Sequence, residues 1–138
     1  MFRNPAKVAV IMAAAFAVLI FDPSPADAHA KGQKVTKLMK APLSDAAGKI
    51  ARMARFEVGP GWISKRHTHP GDLFVYVTKG ELTIIVDGED PREIGPGQVF
   101  HEKPNKPMTA QNLNSEKGAT FIIFQVGKAG EPLMVPVK

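Results

Sequence analysis

Cysteine is absent from all 138 residues of the chain. Small exported domains often rely on disulfide bonds, and this chain has none to form. The absence also excludes thiolate nucleophiles and thiolate metal ligands. Histidine, carboxylate and hydroxyl side chains must therefore carry any chemistry.

The chain also lacks the pattern of a nucleic-acid-binding protein. Its formal net charge is +5, but the lysines and arginines are scattered, and no aromatic-rich basic stripe or known binding motif accompanies them. The composition predicts a solvated basic surface and no nucleic-acid partner. Attraction to acidic lipid headgroups or anionic ligands stays open.

The first thirty residues have the three parts of a secretory signal. Two basic residues precede an apolar run at residues 8–21, and small residues at 26–30 provide cleavage sites. The run is shorter than the roughly 20 residues that span a bilayer, and two prolines follow it closely. We therefore expect a cleavable signal peptide over residues 1–30, export to the periplasm or beyond, and no membrane attachment after cleavage.

The remaining residues are sufficient for one compact core and too few for two. Residues 31–50 read as an N-terminal extension, with a marginal edge strand near 35–40 and a helical turn or a loop at 46–50. Residues 51–138 alternate short β-branched stretches with Gly-Pro turns. This pattern predicts an all-β domain, a barrel or a sandwich, with almost no helix.

The clearest strands are residues 73–78 and 81–86, which are rich in β-branched and aromatic side chains and meet at Lys79-Gly80. Two such runs joined by a short glycine turn predict an antiparallel hairpin. A second tight turn is expected at Asp87-Gly88.

His67 and His69 are the only close histidine pair. On an extended chain, a spacing of two places both imidazoles on one face. Two imidazoles there can contribute to a Zn, Fe, Ni, Cu or Mn site. Two histidines provide only half of the ligands of a typical metal site. The alternative is that both are surface residues beside a Pro-Gly turn.

The residues around this pair resemble the two sequence motifs of the cupin superfamily. Residues 61–80 have the glycine, His-x-His and glycine of the first motif at its spacing, and residues 97–112 resemble the second. The resemblance covers most of residues 50–138. It implies a small single-domain cupin, a jelly-roll barrel (double-stranded β-helix) with a central pocket, and pairing into a homodimer.

The chain departs from the family pattern at two of its four usual metal-ligand positions. Leu73 stands where the family has a glutamate, and Met108 stands where it has a histidine. Leucine cannot bind a metal ion. A thioether suits Cu(I) far better than Fe(II) or Mn(II).

These departures leave alternative sites open. In one, His67 and His69 gain a substitute third ligand, His101 or Asp72, and form the metal centre of a dioxygenase or isomerase type of enzyme. Glu102 is another candidate, but it lies on the opposite face from His101, so the two cannot serve together. A copper site that includes Met108 is a further alternative.

In the other interpretation the pocket has lost its metal and binds a small molecule. Its apolar lining is then expected to include the following side chains: Leu73, Val75, Val77 and Met108. The sequence as a whole predicts an exported cupin that binds a small molecule in its barrel, with a reduced or altered metal site at His67 and His69. One divalent transition metal and no cofactor at all are both compatible with it.

Overall fold

The computed structural model describes residues 32–138. The predicted signal peptide lies outside the described residues. Residues 32–138 form ten strands and no helix, so no helix capable of spanning a membrane is found among them. The strands are β1 (Gln33–Pro42), β2 (Lys49–Val58), β3 (His67–Thr68), β4 (Asp72–Lys79), β5 (Leu82–Val86), β6 (Arg92–Ile94), β7 (Val99–Glu102), β8 (Met108–Gln111), β9 (Ala119–Lys128) and β10 (Val135–Pro136).

The strands form two five-stranded sheets in which every neighbouring pair is antiparallel. The order is β1-β2-β9-β4-β7 in the larger sheet and β10-β3-β8-β5-β6 in the smaller one. Apolar side chains from the two sheets form one buried cluster between them. The prediction of an all-β barrel is therefore confirmed.

The predicted hairpin at Lys79-Gly80 is wrong. Strand β4 pairs with β9 and β7 in the larger sheet, whereas β5 pairs with β8 and β6 in the smaller one. At the crossing, Gly80 has a φ of +70°, and an added Cβ would lie 2.7 Å from the Gly118 carbonyl oxygen. Composition and a turn residue mark the two strands correctly, but their partners come from distant parts of the chain.

The predicted extension over residues 31–50 contains a full strand of the larger sheet. Strand β1 pairs with β2 from Gln33↔Val58 to Pro42↔Ile50 and forms one edge of that sheet. A loop joins the two strands, since Leu43 N donates to the Lys49 carbonyl oxygen at 3.1 Å. The expected edge strand is present, and the loop replaces the alternative of a helical turn at 46–50.

The barrel interior is filled by inward-facing side chains that alternate along the strands. Leu73, Val77, Leu82 and Ile84 are almost completely buried, and burying a side chain of this size contributes about 1.5–3 kcal/mol. This buried core stabilises the contact between the two sheets in a chain that has no cysteine for disulfide bonds.

The last residues of the chain cross one end of the barrel. We call residues 131–138 the C-terminal segment. Its strand β10 pairs with β3 through Pro136↔His67, and Val137 N donates to the Arg66 carbonyl oxygen at 3.0 Å. The segment thus lies directly against the strand that carries the first histidine of the pair.

Candidate functional site

Three titratable side chains meet inside the barrel. His67 lies on β3, His69 follows it, and Glu102 ends β7; all three are buried. The two Nε2 atoms are 3.1 Å apart, and Glu102 Oε2 lies 3.0 Å from His69 Nε2. We refer to these three residues as the His–Glu cluster.

The register of the larger sheet places Glu102 inside. In the β4–β7 pair, Glu102 lies opposite Leu73 and His101 lies opposite Phe74. Because residues directly opposite each other in an antiparallel pair have side chains on the same face, Glu102 shares the inner face with Leu73. The carboxylate that Leu73 lacks is therefore supplied from the neighbouring strand.

The structure does not bring His101 or Asp72 to the histidine pair. His101 lies on the outer face, with 42% of its side chain exposed, and its Nε2 is 2.8 Å from Asp72 Oδ1. Its ring stacks on Phe74 with centroids 4.5 Å apart. Strand alternation directs both side chains outward, so neither lies with His67 and His69.

Backbone carbonyl groups determine which nitrogen of each inner histidine carries a proton. The Nδ1 atom of His67 lies 2.7 Å from the Lys65 carbonyl oxygen, and that of His69 lies 2.7 Å from the Leu133 carbonyl oxygen. A carbonyl oxygen only accepts, so both Nδ1 atoms donate. In the neutral rings, both Nε2 atoms then present lone pairs to each other.

A buried polar chain supports this arrangement from behind. Gln125 donates from Nε2 to the same Leu133 carbonyl oxygen at 3.0 Å, and its Oε1 accepts from Arg52 Nη1 at 3.3 Å. Arg52 Nη2 also donates to the Glu131 carbonyl oxygen. These contacts hold the C-terminal segment in place and, through Leu133, orient His69.

Sequence reasoning missed Gln125 and left Glu102 as one option among several. Along β9 the inward positions are Ala119, Phe121, Ile123 and Gln125, and all four are buried. A single amide at the end of an apolar alternation was the available signal. It indicates a buried side chain that needs hydrogen-bond partners.

Burial lowers the pKa of His67, and the nearby His69 lowers it further. The hydrogen bond to Lys65 and the Glu102 carboxylate oppose this change without reversing it. Since desolvation disfavours the charged imidazolium, His67 resists protonation below its ordinary pKa. The cluster thus presents a neutral imidazole at neutral pH.

The His–Glu cluster closes one side of a small cavity in the barrel. The cavity has a volume of about 50 Å³ and is lined mainly by apolar side chains, and such a space holds a few water molecules. Of the four predicted lining residues, Leu73 and Val75 line this cavity. Val77 and Met108 do not line it and pack in the buried core.

The donor types of the cluster suit a divalent transition metal, since two imidazole nitrogens and one carboxylate oxygen form known Zn and Fe(II) sites. In residues 32–138, however, no group of three or more histidine, aspartate or glutamate side chains is arranged to hold a metal ion. The three inward atoms are instead in contact at hydrogen-bond distances. The chemistry fits a metal, and the present arrangement does not enclose one.

Comparisons with known proteins agree on the fold. The family model described as "Cupin domain" matches residues 54–124, and no curated protein matches the chain. Similar solved structures include a cupin-like protein from Thermotoga maritima (17% identity, 76% of this chain and 75% of that chain covered, TM-score 0.62). Another is the polyketide cyclase RemF from Streptomyces resistomycificus (24% identity, 79% and 73% covered, TM-score 0.56). Identities this low support the fold alone.

Proposed function

This chain belongs to the cupin family, and we propose that it is an exported cupin that binds a small molecule inside its barrel, against the His–Glu cluster. One observation supports this most strongly. Three buried acceptor atoms meet at the cavity wall. His69 Nε2 lies 3.1 Å from His67 Nε2 and 3.0 Å from Glu102 Oε2. Lone pairs that meet in this way require a proton or a cation between them.

The cluster determines which chemical groups the ligand should present. It offers acceptors, so a protonated amine or a hydroxyl group fits, whereas a free carboxylate is repelled. Hydrogen bonds to a charged partner contribute roughly 1.5–3 kcal/mol each. The cavity of about 50 Å³ admits a head group of a few atoms, and a larger ligand requires Leu133 and Met134 of the C-terminal segment to move.

A metal-dependent cupin enzyme is the second candidate, with a specific observation in its favour. Both Nδ1 atoms donate to backbone carbonyl groups, which is how proteins orient histidines that bind metal through the other nitrogen. His67, His69 and Glu102 would hold the ion. A bound divalent metal would polarise a ligand oxygen or lower the pKa of a water molecule.

The two candidates are separated by elemental analysis of the mature protein purified without chelators. The enzyme candidate predicts one divalent metal per chain, lost in His67→Ala and His69→Ala but retained in the matched variant His101→Ala. The binding candidate predicts metal-free protein whose melting temperature rises with small amines and alcohols.

The ligand panel contains its own control, because carboxylates of the same size should leave the melting temperature unchanged. A ligand at 100 times its Kd stabilises the native state by about 2.7 kcal/mol. Equal responses of the His69→Ala and His101→Ala variants would contradict both candidates, since neither would then depend on the cluster.

A further inference from the structure

A second and larger cavity lies beside the barrel interior. Its volume is about 520 Å³, within the range of roughly 300–1,000 Å³ typical of small-molecule sites. We call it the outer groove. It lies between the β1–β2 pair and residues 130–134, and its walls include Lys37, Lys40, Arg52, Phe56, Leu133 and Met134.

A β-bulge in β1 brings two lysines to the same side of the sheet. Lys37 pairs with Ala54 and Lys40 pairs with Arg52, and the register shifts between them because Leu38 has no partner in β2. In a regular strand, residues three apart point to opposite faces. The extra residue cancels that alternation, so both lysines lie on the face that carries Ala54 and Arg52.

The outer groove is positively charged. Three of its lining side chains are cationic, and Glu131 is the only carboxylate among them. The Arg52 guanidinium is held by Gln125 and by the Glu131 carbonyl group. Within residues 32–138, the Lys37 and Lys40 ammonium groups form no ion pair, so both are available to a ligand.

We propose that the outer groove binds an amphiphilic anion, with its acidic head group at Lys37 and Lys40 and its apolar body against Phe56, Leu133 and Met134. The size, the apolar walls and the two convergent cations each match one part of such a ligand. The His–Glu cluster presents only acceptors and so excludes an acid from the inner cavity. The two cavities adjoin, since both are lined by Phe56, Leu133 and Met134, but Lys37 and Lys40 line only the outer groove.

Decanoate is a suitable probe, used below the concentration at which it forms micelles. We expect saturable binding by titration calorimetry, weakened at least tenfold in the double variant Lys37→Gln/Lys40→Gln and weakened by added salt. Lys34→Gln is the matched control. Lys34 lies on the same strand but pairs with Glu57 at 3.5 Å, so this variant should bind decanoate like the unmodified protein.

Head-group specificity gives a second readout. 1-Decanol has the same chain without the charge and should bind at least tenfold more weakly than decanoate. Equal affinity for the two probes, or equal affinity of the double variant and Lys34→Gln, would overturn the proposal. The Glu102→Gln variant changes the inner cluster but leaves the hydrogen bond between His69 and Leu133 in place. It should keep decanoate binding, so a failed inner ligand site leaves this result intact.

The remaining experiments separate the free acid from other occupants. Vesicles of phosphatidylcholine and phosphatidylglycerol offer the same negative charge on a membrane surface. Binding to these vesicles without binding of monomeric decanoate would overturn the proposal in favour of a lipid surface. A homodimer that excludes decanoate, detected by light scattering, would assign the groove to a second copy of the chain.

Discussion

Two histidine–carboxylate contacts of nearly equal length lie in neighbouring positions of this protein. His69 and Glu102 are 3.0 Å apart with about 4% of each side chain exposed, whereas His101 and Asp72 are 2.8 Å apart with 42% and 53% exposed. The shorter contact is the one in water. Distance alone therefore says little about what either contact contributes, and burial decides it.

The physical reason is the solvent around each pair. Exposed ion pairs contribute about 0–1 kcal/mol, because water screens the attraction and both side chains lose freedom. Breaking a buried pair costs several kcal/mol, because the remaining group is left desolvated without a partner. His101 and Glu102 are adjacent in sequence. Consecutive residues of β7 therefore take part in one exposed contact and one buried contact.

The largest expected effect comes from truncation of the inner carboxylate. In the metal-free protein a proton must lie between Glu102 Oε2 and His69 Nε2. Glu102→Ala removes this hydrogen bond and leaves the buried His69 nitrogen without a partner, so it should lower the free energy of unfolding by about 3 kcal/mol. Chemical denaturation of metal-free protein at pH 7 measures this loss. Asp72→Ala, which removes the outer carboxylate, is the matched comparison.

Glu102→Gln tests the same buried contact with the shape of the side chain preserved. The amide keeps the shape of the side chain and can donate a hydrogen bond to the lone pair of His69 Nε2. Its stability loss should therefore be clearly smaller than that of Glu102→Ala. If Glu102→Ala costs no more than Asp72→Ala, the inner cluster is as weakly coupled as the outer pair and the comparison fails.

The pH dependence of stability should reflect the burial of His67 in the inner cluster. The pKa of His67 is lowered from its ordinary value of 6.5 in the folded protein, chiefly by burial. The unfolded chain then binds a proton near pH 6.5 and the folded chain does not. Stability of the metal-free protein should fall as the pH drops below about 6.5, and the loss should stop below the lowered pKa.

Denaturation midpoints between pH 8 and pH 5 test this expectation. The His67→Gln variant removes the titrating group, so its stability curve should be flatter than that of the unmodified protein over this range. The slope, and not the absolute stability, is the relevant quantity, since the substitution also changes packing. Identical slopes would show that His67 does not contribute to the pH dependence.

Sequence reasoning predicted the barrel, and it placed His67 and His69 on one face, because both inferences depend on local pattern. Strand alternation, glycine turns and the spacing of His67 and His69 are all visible within a few residues. The hairpin at Lys79-Gly80 was wrong because pairing partners are non-local. Strand β4 pairs with β9 and strand β5 pairs with β8, and neither partner is the next strand in the chain.

The third member of the cluster was ambiguous for a related reason. Val99 and Phe100 before it are both apolar, so the alternation does not indicate whether His101 or Glu102 points inward. The register of β7 against β4 decides this. The lysines of the outer groove were similarly hidden, because a bulge at Leu38 changes the phase of β1.

The smallest effects should come from the outer pair. Asp72→Asn and His101→Ala should each change the free energy of unfolding by less than about 1 kcal/mol, since both side chains are partly solvated and screened. Raising the salt concentration from 0.05 to 0.5 M should reduce even this difference, because screening weakens exposed pairs far more than buried ones. Denaturation of both variants at the two salt concentrations measures the change.

A loss comparable to that of Glu102→Ala would contradict this expectation. It would mean that the stacking of His101 on Phe74 contributes more than its exposed position indicates. Burial would then no longer explain the difference between the two histidine–carboxylate contacts.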